Sequence, residues 1–213
     1  MSPTTLSEHG GPPGWPIQVL IRLDALMEVT KDGQTWLIGT GAEVAWIVSG
    51  TTVDTTITAA IPPVFAAYAT FHELDESRIA GQESSVVGRL ANRSGDQSWW
   101  LGFLDTGAHD VVFEDVPKVT LYTGWHYVLV EAGPGQALSW RIGHMRAPYG
   151  YGALPDLIFP ADRSWLVSAL WDDTWTCVGG PAELIAELQQ DPDVRARVVR
   201  LHEDATPPGH ESL

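Results

Sequence analysis

The run Ser164-Trp-Leu-Val-Ser-Ala-Leu-Trp171, followed by Asp172-Asp-Thr174, Trp175-Thr-Cys-Val178 and Gly180-Pro-Ala-Glu-Leu-Ile-Ala-Glu-Leu-Gln-Gln190, carries both kinds of element that define the fold. Two short apolar runs flank an acidic turn, which predicts a β-hairpin. The segment after it has the marks of a helix: Pro181 at the first position, Glu183 near the positive end of the helix dipole, and Leu184, Ile185 and Leu188 on one face. Asp191-Pro192 stops it. Upstream, Trp99-Trp-Leu-Gly-Phe-Leu104, the turn Thr106-Gly-Ala-His109 and Val111-Val-Phe113 predict a second hairpin of the same shape, with further strands at Val119 to Tyr122 and His126 to Val130.

Nearer the N-terminus, Lys31-Asp-Gly-Gln34 reads as a hairpin turn between Leu26 to Val29 and Thr35 to Ile38, because Asp-Gly supplies residues that tolerate positive φ. Ile17 to Val29 also carries apolar residues near a helical period, in competition with a strand. Ala45-Trp-Ile-Val48 reads as a strand, Pro62-Pro63 as the opening of a short helix through Val64, Phe65 and Tyr68, and Ile79 to Leu90 as a helix despite Gly81 and Gly88. Strands dominate the middle and few βαβ units alternate. The pattern predicts an α+β fold, a mostly antiparallel sheet with a few short helices packed on one face.

The chain has 213 residues, 44% of them hydrophobic, enough for a core without disulfides. Residues 1–16 and 203–213 are rich in Pro, Gly, Ser, Thr and charge, and are expected to be flexible tails around a single domain spanning 17–202. Cys177 is the sole cysteine, so no internal disulfide and no multi-thiolate zinc site is expected. That usage, a start without a basic and apolar leader, and the absence of any long apolar run point to a cytoplasmic protein.

Charge narrows the partners. Twenty-seven acids against 12 bases leave a net charge of −15, and no Lys/Arg cluster exists to neutralise phosphates, so nucleic acid and anionic membrane are disfavoured. No base falls between Arg93 and Lys118, nor between Arg163 and Arg195, the two hairpin stretches. If their turns lie side by side, Asp105, His109, Asp110, Glu114 and Asp115 with Asp172 and Asp173 form a negative patch suited to a basic protein partner. Trp99 and Trp171 are the candidate aromatic anchors, since adjacent Trp99 and Trp100 must face opposite sides of a strand and exposed tryptophan favours hot spots. The bland reading of the same residues is a solvated acidic surface over an ordinary aromatic core.

A second candidate is the loop Gly143 to Pro155, where His144, Arg146, Tyr149 and Tyr151 sit among glycines and prolines. A small enzyme or ligand-binding domain with its pocket under this loop, using His126, His144 and Tyr149, is the alternative function. No nucleophile elbow, P-loop or complete dinucleotide fingerprint is present, and Asp172/Asp173 are explained by turn chemistry. The pairs His72-Glu73, His109-Asp110 and His202-Glu203 lack the spacing that puts two imidazoles on one helical face, so no metal and no cofactor are expected.

Phe159-Pro-Ala-Asp-Arg-Ser-Trp165, then Val178-Gly-Gly-Pro181 and the helix running to Asp191-Pro192, resembles a motif found in a group of actinobacterial proteins. The likeness extends to Ile61 to Tyr68, Trp99 to Asp105 and Tyr127 to Gly135. It implies a shared fold over roughly residues 60–200. Some of that group are similar to small acidic immunity-type proteins encoded beside toxins, and no residue role follows from it; with the net charge and the two base-free hairpins, the function expected is an immunity-like inhibitor that neutralises a basic partner protein.

Overall fold

Asp32 and Gly33, with φ of 52° and 76°, close the first hairpin as the Asp-Gly pair predicts. It joins β1 (Met27–Lys31) to β2 (Gln34–Ile38). The structure, a computed structural model, describes residues 26–105, 113, 115–141, 152–170 and 175–207. The elements that follow are α1 (Gly41–Gly50), a 3-10 turn (Ile57–Ala59), β3 (Ala67–His72), α2 (Glu76–Ser94), β4 (Trp99–Leu104), β5 (Val119–Leu121) and β6 (Trp125–Ala132). Then come α3 (Pro134–Ser139), β7 (Leu157–Pro160), β8 (Leu166–Ser168), β9 (Trp175–Gly180), α4 (Ala182–Gln190) and β10 (Arg197–Val199). The fold is α+β. The described strands form one open antiparallel sheet in the order β1-β2-β6-β4-β7-β8-β9-β3-β10, with β5 beside β6.

Side chains alternate across this sheet with the two-residue period of a strand. Trp99, Leu101 and Phe103 of β4 join Val128, Ile158, Val167 and Val178 on the face covered by α2, α3 and α4. Trp100 and Leu104 join Leu129, Phe159 and Cys177 on the other face, under α1 and the segment after it. All six residues of β4 are buried, so the continuous apolar run reflects a strand covered on both sides. The expectation of helices on one face holds for α2 to α4, while α1 lies on the opposite face.

Two local expectations change, and a third falls largely outside the described residues. Ala45 to Val48 belongs to α1 and not to a strand, because Thr40-Gly-Ala-Glu43 is a capping box: the Thr40 hydroxyl accepts from Ala42 N–H, and the Glu43 carboxylate accepts from Thr40 N–H at 2.6 Å. Thr40→Ala should therefore cost about 1 kcal/mol in urea unfolding. The segment at Pro62 makes a tight turn, Val64 N–H to Pro62 C=O, and enters β3, since Tyr68 and its neighbours pair with β9 on one edge and β10 on the other. β4 is flanked by β6 and β7, and of its expected hairpin partner 111–113 only Phe113 is among the described residues. The hairpin of β8 and β9 forms as expected.

Residues 203–207, expected to open the C-terminal tail, are bonded to the rest of the fold. Arg197 donates to Glu203 and to the carbonyls of Asp204 and Thr206, and Ala205 is buried with its N–H bonded to Thr55 C=O. These bonds satisfy the backbone there and hold the chain down through Pro207. Residues 1–16 and 208–213 lie outside the described residues, as does most of 17–29.

Candidate functional site

Antiparallel pairing brings particular strand ends together. Leu104 pairs with Tyr127, Gly102 with Leu157, Leu157 with Ser168, Ser168 with Cys177 and His72 with Trp175. The C-terminal ends of β3, β4, β5 and β8 and the N-terminal ends of β6, β7 and β9 thus share one end of the sheet. Asp105 and Trp175, which border the two predicted acidic turns, are both at that end. Their strands are three sheet positions apart, about 14 Å at the usual strand spacing.

A cleft of about 280 Å³ opens at the same end, on the α1 face. One wall comes from Val48 of α1 and the following Thr51 to Asp54; the other comes from Tyr122, Thr123 and Trp125 around the β5–β6 turn, with Leu170 beyond β8. The cleft is open, and three apolar side chains stand exposed beside the exposed Thr52, Asp54 and Thr123: Val53 is 85% exposed, Val48 49% and Trp125 40%. Tyr122 is held at a φ of 54° in that turn, and its hydroxyl lies 2.5 Å from Ser168 Oγ and 3.2 Å from Ala60 O. Burial pushes this phenol well above its usual range, so it stays neutral and acts as a strut.

Asp54 supplies the charge. Its Oδ2 accepts from Thr52 Oγ1 at 2.7 Å and Thr58 Oγ1 at 3.2 Å, and its Oδ1 accepts from the backbone and hydroxyl of Thr56, each at 2.7 Å. The Thr52 bond above all holds the carboxyl below the usual carboxylate range; slight burial opposes it and the Thr56 and Thr58 bonds add to it. Asp54 is therefore ionised at neutral pH, and none of the residues lining the cleft is basic.

The sequence-based candidates fare unevenly. Trp99 is not a surface anchor: it is fully buried, edge-on to Trp165 at 5.0 Å, because its side of β4 is covered by helices. Asp105 is a partly buried ion-pair partner of Lys118. Asp115 is exposed with a φ of 56°. His109, Asp110, Glu114, Trp171, Asp172 and Asp173 lie outside the described residues, as do His144, Arg146, Tyr149 and Tyr151 of the second candidate loop. His126 is exposed, with Nδ1 3.2 Å from Thr120 Oγ1, and does not line the cleft.

The unrelieved acidity inferred from base-free stretches is also reduced. Asp191 pairs with Arg89 at 3.2 Å and Glu187 pairs with Arg93, both across the contact of α4 with α2. Bases far away in the chain relieve acids that have none beside them. Among the described residues no group of three or more His, Cys, Asp or Glu is arranged to hold a metal ion, and no helix is long and apolar enough to cross a membrane. The cleft residues that sequence reasoning passed over are Val48, Val53, Asp54 and Trp125. The signal was Thr51-Thr-Val-Asp-Thr-Thr-Ile-Thr58, an Asp among hydroxyls with turn-forming capacity, beside an isolated exposed valine. Comparison with family models, with curated proteins and with solved structures finds no match for the chain.

Proposed function

We propose that this chain is a binding protein that docks a basic protein on the cleft end of its sheet, in the manner of an intracellular inhibitor. The observation that carries this reading is the exposed trio Val48, Val53 and Trp125 around the ionised Asp54. Apolar side chains that desolvate on contact supply affinity, and a charged neighbour supplies orientation. The net charge of −15 favours the same class of partner, since a field of one sign accelerates encounter with the opposite sign. The strand ends bordering the acidic segments 106–112 and 171–174 fall at this end, which adds to the argument.

The test is recovery from the source organism on the tagged full chain, with washes at about 50 mM and about 500 mM NaCl. A basic protein held at low salt, released at high salt and lost from Trp125→Ala and Val53→Asp is the expected result. Equal recovery on both variants, or no protein retained above background at low salt, sinks the proposal. Val53 is exposed enough that its substitution leaves the fold intact.

A further inference from the structure

We infer that the cleft beside Asp54 receives the side chain of a lysine or arginine from the docked protein; this deepens the proposed function and rests on it. Three features of the cleft select such a group. Its charge comes first: the lining holds one carboxylate and no base, so a cation gains and an anion loses on entry. Asp54 keeps its charge below the usual carboxylate range, so the attraction does not fade at mildly acidic pH.

The second feature is a shortage of protons. Thr52, Thr56 and Thr58 each own one hydroxyl proton. Their oxygens make three contacts with Asp54, at 2.7, 2.7 and 3.2 Å, and two with one another, Thr52 to Thr58 at 3.0 Å and Thr56 to Thr58 at 2.7 Å. Three hydroxyl protons cannot serve all these contacts even with Thr58 N–H donating to Thr56 Oγ1, so lone pairs are left in surplus on this cluster, of which Thr52 and Asp54 line the cleft. The complement is a group that donates and does not accept. Ammonium and guanidinium are the two protein side-chain groups of that kind that also carry positive charge at any physiological pH.

Shape is the third. Val48, Val53 and Leu170 line the cleft together with the indole of Trp125. Lysine and arginine bury an aliphatic stem while the head stays polar, and the face of an indole attracts the head. A leucine or phenylalanine would fill the apolar part and leave the carboxylate facing hydrocarbon. An acidic side chain would meet Asp54 directly.

The experiment is an amide and indole NMR titration of the full chain with N-acetyl-lysine methylamide, N-acetyl-arginine methylamide and N-acetyl-leucine methylamide. With either cationic probe, the amides of residues 52–58 and the Trp125 indole should shift saturably, and the leucine probe should bind at least about tenfold more weakly. Trp125→Leu keeps the threonine ring and should weaken the cationic probes about threefold or more. Asp54→Asn should abolish the preference over leucine; because it disturbs the ring, Trp125→Leu and the loss of binding at about 500 mM NaCl provide independent readings. Equal response to leucine, unchanged binding in Trp125→Leu, or no saturable shift at about 50 mM cationic probe overturns the inference. If titration fails while the partner is still lost from Trp125→Ala, docking stands and the cation-accepting cleft falls. If titration succeeds and no partner is retained, the reverse holds.

Discussion

Arg141→Ala should destabilise the protein by about 3–5 kcal/mol, the cost of removing one member of a buried ion pair. The Arg141 side chain is 1% exposed, and its Nη2 lies 2.6 Å from Asp156 Oδ2. Its Nη1 donates to Leu154 C=O at 2.7 Å and its guanidinium sits 5.3 Å from the Phe103 ring centre. The same Asp156 Oδ2 accepts the Leu104 N–H at 2.9 Å where β4 ends. Alanine therefore takes away the counter-charge of Asp156, the donor to Leu154 and the packing on Phe103 together. Replacing the pair by apolar groups, Arg141→Met with Asp156→Leu, should recover part of the loss, because neither member of the pair is then left buried without the other. It should not recover all of it, since Leu104 N–H loses its acceptor. Urea unfolding of the three proteins decides the matter, and a single-variant loss below about 1 kcal/mol would show that the pair is not what fastens this corner. Arg141 and Asp156 lie on the two sides of the candidate loop Gly143 to Pro155, so the pair ties both flanks of that loop to the end of β4.

This corner also shows where reading along the chain stops working. Signals that act within a few residues were legible: the Asp32-Gly33 turn, the stripe of Leu184, Ile185 and Leu188, and the period of Ile79, Val86 and Leu90 all appear as expected. Each depends on local φ preferences or on one face of one element. α1 departs from the strand expected there although its capping box stands in the sequence, because Trp46, Ile47 and Val48 favour strands intrinsically and the cap outweighs them. Charge relief escapes the sequence for a different reason. Coulomb attraction depends on distance in space, and Arg89 and Arg93 on α2 reach Asp191 and Glu187 only once α4 packs against α2. The cleft was invisible for the same cause. Asp54 and Trp125 are 71 residues apart in sequence, and no spacing rule joins them. What the sequence did carry is that Trp99 and Trp100 face opposite ways; that both sides of β4 are core follows only when α1 is recognised as a helix.

The two buried tryptophans of the helical face provide the second large effect. Trp165→Ala should cost about 3–5 kcal/mol, a large share of the stability of a domain that is stable by about 5–15 kcal/mol in all. Trp165 is fully buried, meets Trp99 edge to face with an interplanar angle of 86°, and donates its indole N–H to Ser94 Oγ at 3.1 Å. Ser94 passes the chain on, donating to Leu90 C=O at 2.9 Å, so the indole is bonded to the last turn of α2 as well as packed beneath it. Trp99 differs in one respect: its Nε1 is buried without a hydrogen-bond partner among the described residues. Phenylalanine separates the two roles. Trp165→Phe loses volume and also leaves the buried Ser94 oxygen without its donor, whereas Trp99→Phe loses comparable volume but removes an N–H that had no acceptor. Trp99→Phe should therefore be milder than Trp165→Phe by about 1–2 kcal/mol, read from denaturation midpoints at unchanged slope. Equal losses would mean that packing alone sets the value of both rings, and that the bond from Trp165 to α2 contributes nothing beyond its contact area.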